Sequence, residues 1–201
     1  MSSTLAALQP GAYYHFETLE APRYRDLFDK LIIPEDVNET TLAGIDKLYI
    51  PSRTHPKRLS AVLPHLFRFM EQGGTIIAMG ETFQDKWLPN VTFHPVETNY
   101  WWWLEPHANL GVTIEKPDHP LLKGMSDLDV TWHLHGWYEP ADGAQTLVTD
   151  RDNRSIFYID ETSYNGRLVI TSLDPCYHHG SHFMPATTRF LDKFLPNLRN
   201  W

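Results

Sequence analysis

The most regular pattern of apolar and polar positions lies between residues 42 and 79. Lys47-Leu48-Tyr49-Ile50 reads as a short buried strand closed by Pro51, with Ser52 to Pro56 as the loop behind it. From about Lys57 to Gln72, Leu59, Val62, Leu63, Leu66, Phe67 and Met70 recur at three- and four-residue spacing, the signature of one buried helix face. Gly73-Gly74 stops that helix as a left-handed cap would. Thr75 to Met79 follows as an uninterrupted apolar strand. Strand, helix and strand in this order predict a βαβ unit, a right-handed crossover and a parallel sheet.

The flanking segments are less regular. Upstream, the aromatic-rich Ala12 to Phe16 reads as a strand. Pro22 stands at a helix start followed by Tyr24, Leu27, Phe28 and Leu31, and Leu31-Ile32-Ile33 reads as a short buried strand before Pro34. Downstream, Thr131 to Trp137 alternates, so a strand there would put Val130, Trp132 and Leu134 on one face and Thr131, His133, His135 and Trp137 on the other. Gln145 to Thr149, Ser155 to Ile159 and Arg167 to Ser172 are three more strands. The first two are joined by the polar turn Asp150 to Arg154, and Asn165-Gly166 is a hairpin signal. A terminal helix runs from about Pro185 to Leu195. The expected fold class is α/β: a parallel core, with antiparallel strands and long aromatic loops added in the second half.

Composition narrows the partners. With 201 residues, no repeat and no linker-like tract, one domain over residues 1–201 is expected, with room for a full core. A net charge of −8 argues against nucleic acid, and no apolar run is long enough to span a membrane. The N-terminal segment lacks the basic and apolar regions of a signal peptide, and a single cysteine, Cys176, forbids an intrachain disulfide. A cytoplasmic protein is the resulting expectation.

Histidine carries the candidate chemistry. Asp174-Pro175-Cys176-Tyr177-His178-His179-Gly180-Ser181-His182 follows an apolar strand, and α/β folds place ligands at the carboxyl ends of strands. Asp174 with His178 or His179 can form a general acid–base pair; the alternative is a polar loop whose histidines bond to backbone or cap the last helix. On a strand, His133 and His135 would face the same way, as acid–base groups or as plain half-buried rings beside Trp132 and Trp137. A metal could be held there with His178 and His182, but no Cys-x-x-Cys or His-Glu-x-x-His spacing is present, so neither metal nor cofactor is expected. Cys176 as a nucleophile competes with Cys176 as a buried thiol. Glu81, after an apolar strand, is a candidate ligand contact or the cap of the next turn. Tyr100-Trp101-Trp102-Trp103, if extended, sends two aromatics to each side; Tyr100 and Trp102 are candidate ligand-stacking residues, and the run as a whole is a candidate interface.

Several phrases carry a family resemblance. Leu42-x-Gly44-x-Asp46-x-Leu48-x-Ile50-Pro51, a helix ending in Gly73-Gly74 and an apolar strand resemble the class I glutamine amidotransferase-like fold. His119-Pro120-Leu121-Leu122-Lys123-Gly124-Met125 resembles the "His-Pro-x-x-x-Gly-Leu" phrase of the trehalose-utilisation (ThuA-like) branch, and Gly166 to Leu173 resembles its "Gly-Arg-Val-x-x-Thr-x-Leu" strand. The likeness spans about Leu42 to Leu195. It implies a flavodoxin-like three-layer sandwich with a mostly parallel central sheet, a fold shared with the trimerisation domains of some β-galactosidases. The departures are chemical. Where amidotransferases carry a cysteine nucleophile after the strand matched by Thr75 to Met79, this chain has Gly80-Glu81-Thr82. Where their His-Pro-Glu follows a late strand, Asp174-Pro175-Cys176-Tyr177-His178-His179 stands, with Pro175 alone in register. The ThuA-like "Gly-His" after that strand is not matched either. The fold is therefore expected without glutaminase activity.

Two functions remain open. One is an enzyme acting on a small polar, sugar-like molecule by His/Asp acid–base chemistry, its pocket lined by Glu81 and the Asp174–His179 segment. The other is a noncatalytic oligomerising binding or scaffold subunit. In either case a homodimer or other homo-oligomer is expected, with Tyr100 to Trp103 buried between subunits or against a long loop.

Overall fold

The apolar runs of the first half become parallel strands because both of their faces are covered by helices. The computed structural model describes residues 3–201. Its strands are β1 (Leu5–Leu8), β2 (Lys30–Ile32), β3 (Lys47–Ile50), β4 (Thr75–Ala78), β5 (Thr92–Pro95), β6 (Thr113–Ile114), β7 (Gly136–Glu139), β8 (Gln145–Thr149), β9 (Ser155–Asp160) and β10 (Arg167–Thr171). Its α-helices are α1 (Tyr13–Leu19), α2 (Glu39–Leu42), α3 (Pro56–Glu71), α4 (Pro175–Gly180) and α5 (Pro185–Asn200). All ten strands join one sheet. The run β2-β1-β3-β4-β10 is parallel throughout, the flavodoxin-like order. From β10 outward every pairing is antiparallel: β10 with β9, β9 with β7 and β8, β7 with β5, and β8 with β6.

Alternation along each strand divides the core in two. Ala6, Leu8, Leu48, Ile50, Ile76, Ala78, Leu168 and Ile170 face α3, meeting Leu59, Val62, Leu66, Phe69 and Met70. Leu5, Ala7, Tyr49, Ile77 and Val169 face the other way, onto Phe190, Leu191, Phe194, Leu195 and Leu198 of α5. The α3 boundaries follow local chemistry. His55 Nδ1 accepts the Lys57 amide at 3.2 Å at the N-cap and Pro56 opens the first turn. At the other end Gly73 N–H bonds to Met70 O and Gly74 N–H to Phe69 O, both at 2.9 Å, a Schellman closure.

Several local expectations are corrected. Ala12 to Phe16 is not a strand; Tyr13–Leu19 is α1, and the first strand is the preceding Leu5–Leu8. Leu-Ala-Ala-Leu carries no β-branched or aromatic residue, so nothing local marks it as a strand; its burial between β2 and β3 does. The helix after Pro22 shrinks to a 3-10 turn, Arg25–Leu27, while Leu31 is taken by β2. Thr131 to His135 form no strand, which begins only at Gly136. Tyr100 to Trp103 is not extended: Trp102–Leu104 is a 3-10 turn. Asn165-Gly166 does not make a two-residue hairpin. β9 ends at Asp160, and its carboxylate takes the amides of Thr162 and Ser163 at 2.9 Å each to organise a longer connection to β10.

Candidate functional site

Parallel strands put their carboxyl ends on one edge, and three of them supply this site. β3 runs through Pro51 and Ser52 to Arg53, β4 through Met79 and Gly80 to Glu81, and β10 through Ser172 and Leu173 to Asp174. Their backbones are tied together: Met79 N–H to Ile50 O at 3.1 Å, Gly80 N–H to Leu173 O at 2.8 Å and Arg53 N–H to Gly80 O at 3.3 Å. Arg53 and Glu81 both have positive φ, 63° and 55°. A left-handed backbone at a non-glycine residue is strained, and such strain gathers where a side chain must be aimed. Here it accompanies an Arg53 side chain that reaches Asp174 and a Glu81 side chain that reaches Arg53 and His135.

Asp174 is the hub and is fully buried. Trp132 donates its indole N–H to Oδ1 at 3.1 Å. Around Oδ2 stand His178 Nε2 at 3.1 Å, His135 Nε2 at 3.4 Å and Arg53 Nη2 at 3.8 Å. His178 Nε2 also lies 3.1 Å from His133 Nε2. Glu81 reaches Arg53 Nε at 2.5 Å and His135 Nδ1 at 3.5 Å. The Arg53 guanidinium carbon lies over Tyr177, 3.4 Å from the ring centre. Burial pushes the His133 imidazole down to about 4, partly offset by the Asp174 charge. Burial also acts to lower His135, but the Asp174 and Glu81 carboxylates outweigh it and its pKa is raised. Burial acts to raise the Asp174 carboxyl, yet the neighbouring His135 and His178 hold it below the usual carboxylate range.

His133 and His178 form part of the floor of a cavity of about 830 Å³. Its walls include Arg53, Tyr100, Trp101, Trp102, Trp103, Tyr177, Phe183 and Arg189. The edge of Tyr100 meets the His133 ring at 4.9 Å between centroids, and His178 meets Phe183 at the same distance. An aromatic wall above two buried imidazoles suits a ligand with apolar faces and polar edges.

The residues expected from the sequence separate clearly. His133, His135, Asp174, His178 and Glu81 converge, and Tyr100 and Trp102 line the cavity above. His179 does not join them. The Asp174–His182 segment is mostly α4 rather than a loop, so adjacent histidines leave it in different directions; His179 Nδ1 bonds to Thr188 Oγ1 at 2.8 Å beside Tyr24. His182 also stands apart, 3.5 Å from Glu17. His133 and His135 do reach a shared centre, although an irregular segment and not a strand brings them there. Cys176 is buried, its sulfur 3.2 Å from the Tyr49 hydroxyl, and burial pushes its thiol up to about 11. Sequence reasoning missed Arg53, Trp132 and Tyr177. The strand-end argument that selected Glu81 applies equally to Arg53, whereas nothing local announces Trp132 as a donor to Asp174.

No known family's sequence profile matches this chain, and no curated protein matches it in sequence. Its shape has relatives. A glutamine amidotransferase from Thermotoga maritima superposes with a TM-score of 0.60 at 7% identity, covering 100% of this chain and 96% of that one. A putative ThuA-like protein from Bacteroides uniformis gives 0.55 at 12%, covering 96% and 89%. A β-galactosidase from Bacillus circulans gives 0.52 at 13%, covering 94% of this chain and 31% of that enzyme. The fold is therefore the glutamine amidotransferase-like one, shared with ThuA-like proteins. Among the described residues, no helix is long and apolar enough to cross a membrane.

Proposed function

We propose that this protein is a small-molecule enzyme that binds a polar, sugar-like ligand in the aromatic cavity and acts on it by proton transfer at the cluster of His133, His135, Asp174 and His178. The observation that carries the reading is the convergence itself. Residues from two separate chain segments meet within 3.1–3.4 Å of one another, and two of them, His133 and His178, line a cavity large enough for such a ligand, with His135 and Asp174 behind them. Trp102 and Tyr100 offer faces for stacking on a sugar ring, and Arg53 and Arg189 offer donors for its polar groups. Glutaminase activity is not part of this reading. Glu81 occupies the turn after β4, and the one thiol is buried and protonated.

The test is a thermal-shift and turnover screen across sugars, sugar acids and related polyols. A ligand that stabilises the wild type, loses that effect in Trp102→Ala, and is bound but not converted by Asp174→Asn supports the proposal. The absence of any binder across those classes refutes it.

The rival reading, a noncatalytic oligomerising subunit, is favoured by one observation. Trp101, Trp103, Leu128 and Phe183 lie open at 65, 56, 71 and 53% exposure around the cavity mouth. Under that reading a homodimer covers them. Sedimentation of a 23.3 kDa monomer at tens of micromolar, unchanged by Trp101→Ala or Trp103→Ala, removes it.

A further inference from the structure

We infer that His133, His135, Asp174 and His178 form a binding site for one divalent first-row transition cation. The spacing of the sequence offered no metal-ligand pattern, because the donors come from an irregular segment before β7 and from the end of β10 with α4. In the fold, one donor atom from each of the four lies within 4.8 Å of the others. Three edges of the set are fixed by contacts: His133 Nε2 to His178 Nε2 at 3.1 Å, His178 Nε2 to Asp174 Oδ2 at 3.1 Å, and His135 Nε2 to Asp174 Oδ2 at 3.4 Å. A tetrahedral ion with ligands about 2.0–2.1 Å away has edges of about 3.3–3.4 Å. The cluster is therefore near the size that such an ion requires.

The hydrogen-bond inventory points the same way. Two Nε2 atoms facing each other can share only one proton, so at least one presents a lone pair to the centre. Asp174 Oδ2 and His135 Nε2 are buried and have no well-directed hydrogen bond, despite their neighbours. Buried polar atoms without partners are rare and call for an explanation. A cation at the centre uses all of these lone pairs at once. Two of the four donors, Asp174 and His135, also have the outer contacts of a metal centre, while His178 Nδ1 is buried without a partner. Trp132 fixes the far oxygen of Asp174, and Glu81 lies against His135 Nδ1, the nitrogen that a carboxylate orients when the other ring nitrogen is a ligand. The nearby positive charge, Arg53, is engaged by Glu81 and lies over Tyr177, which holds it 3.8 Å from Oδ2.

Three imidazoles and one carboxylate select zinc, cobalt, nickel, copper or iron over magnesium or calcium, which take oxygen donors. Four protein donors fill the tetrahedral shell, so a bound ion is closed to water as in a structural site, and while it is bound these side chains hold it and do not move protons. This inference rests on the proposed function only for the location of the site, and its test reads metal uptake rather than activity.

The full-length protein is stripped with chelator, desalted and titrated with Co²⁺, then with Zn²⁺ in competition. We expect one equivalent of cobalt with the intense visible bands of tetrahedral coordination. Those bands should be lost in His133→Ala and in His178→Ala. In Glu81→Gln they should persist with affinity about 10-fold weaker. His94→Ala, whose ring pairs with Glu139 outside the cluster, should behave as wild type. If an alanine variant does not fold, imidazole ¹⁵N resonances of the wild type on zinc addition give the answer. Shifts at His133, His135 and His178 support the site; shifts confined to exposed rings such as His107 and His182 overturn it. No cobalt uptake by the wild type, or uptake that survives both alanine substitutions, also overturns it. Ligand binding or turnover that persists in a protein taking up no metal refutes the metal and leaves the proposed function standing.

Discussion

Replacing Gly80 by alanine drives a methyl group into the backbone that joins β10 to Asp174. A Cβ built on Gly80 lies 2.2 Å from Ser172 O and 2.8 Å from the carbonyl carbon of Leu173. Ordinary contact begins near 3.4 Å, so the two strand ends must separate by about 1.2 Å, and neither obstacle is a side chain that can swing away. Separation works against the Gly80 N–H to Leu173 O bond at 2.8 Å and the Ser172 N–H to Ile156 O bond at 2.9 Å. Overpacking costs about 1–3 kcal/mol and a weakened hydrogen bond about 1 kcal/mol more, so destabilisation of about 2–4 kcal/mol is expected. For a domain of this size that lowers Tm by roughly 5–15 °C. Urea unfolding followed by tryptophan fluorescence gives the number directly. Gly44→Ala is the control: its φ of +73° makes alanine unfavourable by about 1 kcal/mol, but the methyl meets nothing within 4 Å. Because Glu81 is the next residue, Gly80→Ala should also weaken any ligand or metal held at the cluster. A Gly80→Ala protein within about 0.5 kcal/mol of wild type refutes the packing argument.

Other predictions follow from single contacts. His15 is buried, with Nε2 donating to Ser52 O at 2.9 Å, and burial depresses its pKa from 6.5 to about 4. The folded state therefore resists protonation while the unfolded state accepts it: the His15 contribution is intact above pH 6.5 and is lost as pH falls toward 4, by about 3 kcal/mol in total. Urea midpoints measured across that window should fall less steeply in His15→Gln than in wild type, and equal slopes contradict the assignment. Cys176 in the native protein should react with a disulfide reagent at least about 100-fold more slowly than a free thiol, and at normal rate in denaturant. Ammonia release from glutamine that disappears in Cys176→Ala would contradict the absence of glutaminase chemistry. Trp132→Phe removes the indole donor from the Asp174 carboxylate and should cost about 1.5–3 kcal/mol in urea unfolding, and a change below about 0.5 kcal/mol denies that bond a structural role.

The parallel half of the fold was readable because its signals are local. β3, α3, Gly73-Gly74 and β4 each carry their own period, cap and breaker, and the structure keeps all four. β1 was hidden because two alanines in four residues have no strand preference of their own, and its state is set by neighbours far along the chain. The alternation of Thr131 to Trp137 misled for the opposite reason. Val130 and Trp132 are indeed buried, but as anchors of an irregular segment that points its histidines at Asp174. In the site, residues at strand ends could be named from sequence because parallel strands place their ends together. His178 could not be told from His179 without knowing that a helix starts at Pro175 and turns them apart.

β10 occupies an unusual place in the order of assembly. It pairs in parallel with β4 on one side and antiparallel with β9 on the other, so it is the strand that stitches the two halves of the sheet together. A chain growing from its N-terminus completes every other strand before residues 167–171 exist. Until then the outer edge of β4 and the matching edge of β9 offer unpaired amides and carbonyls to any neighbouring chain. Closing that gap requires contacts between distant parts of the sequence, and such closure is intrinsically slow. The same step delivers Asp174 to Arg53, Glu81 and the histidines, so the machinery of the site comes into being only when the last strand locks, and the nascent chain is most open to mispairing just before it becomes competent to bind.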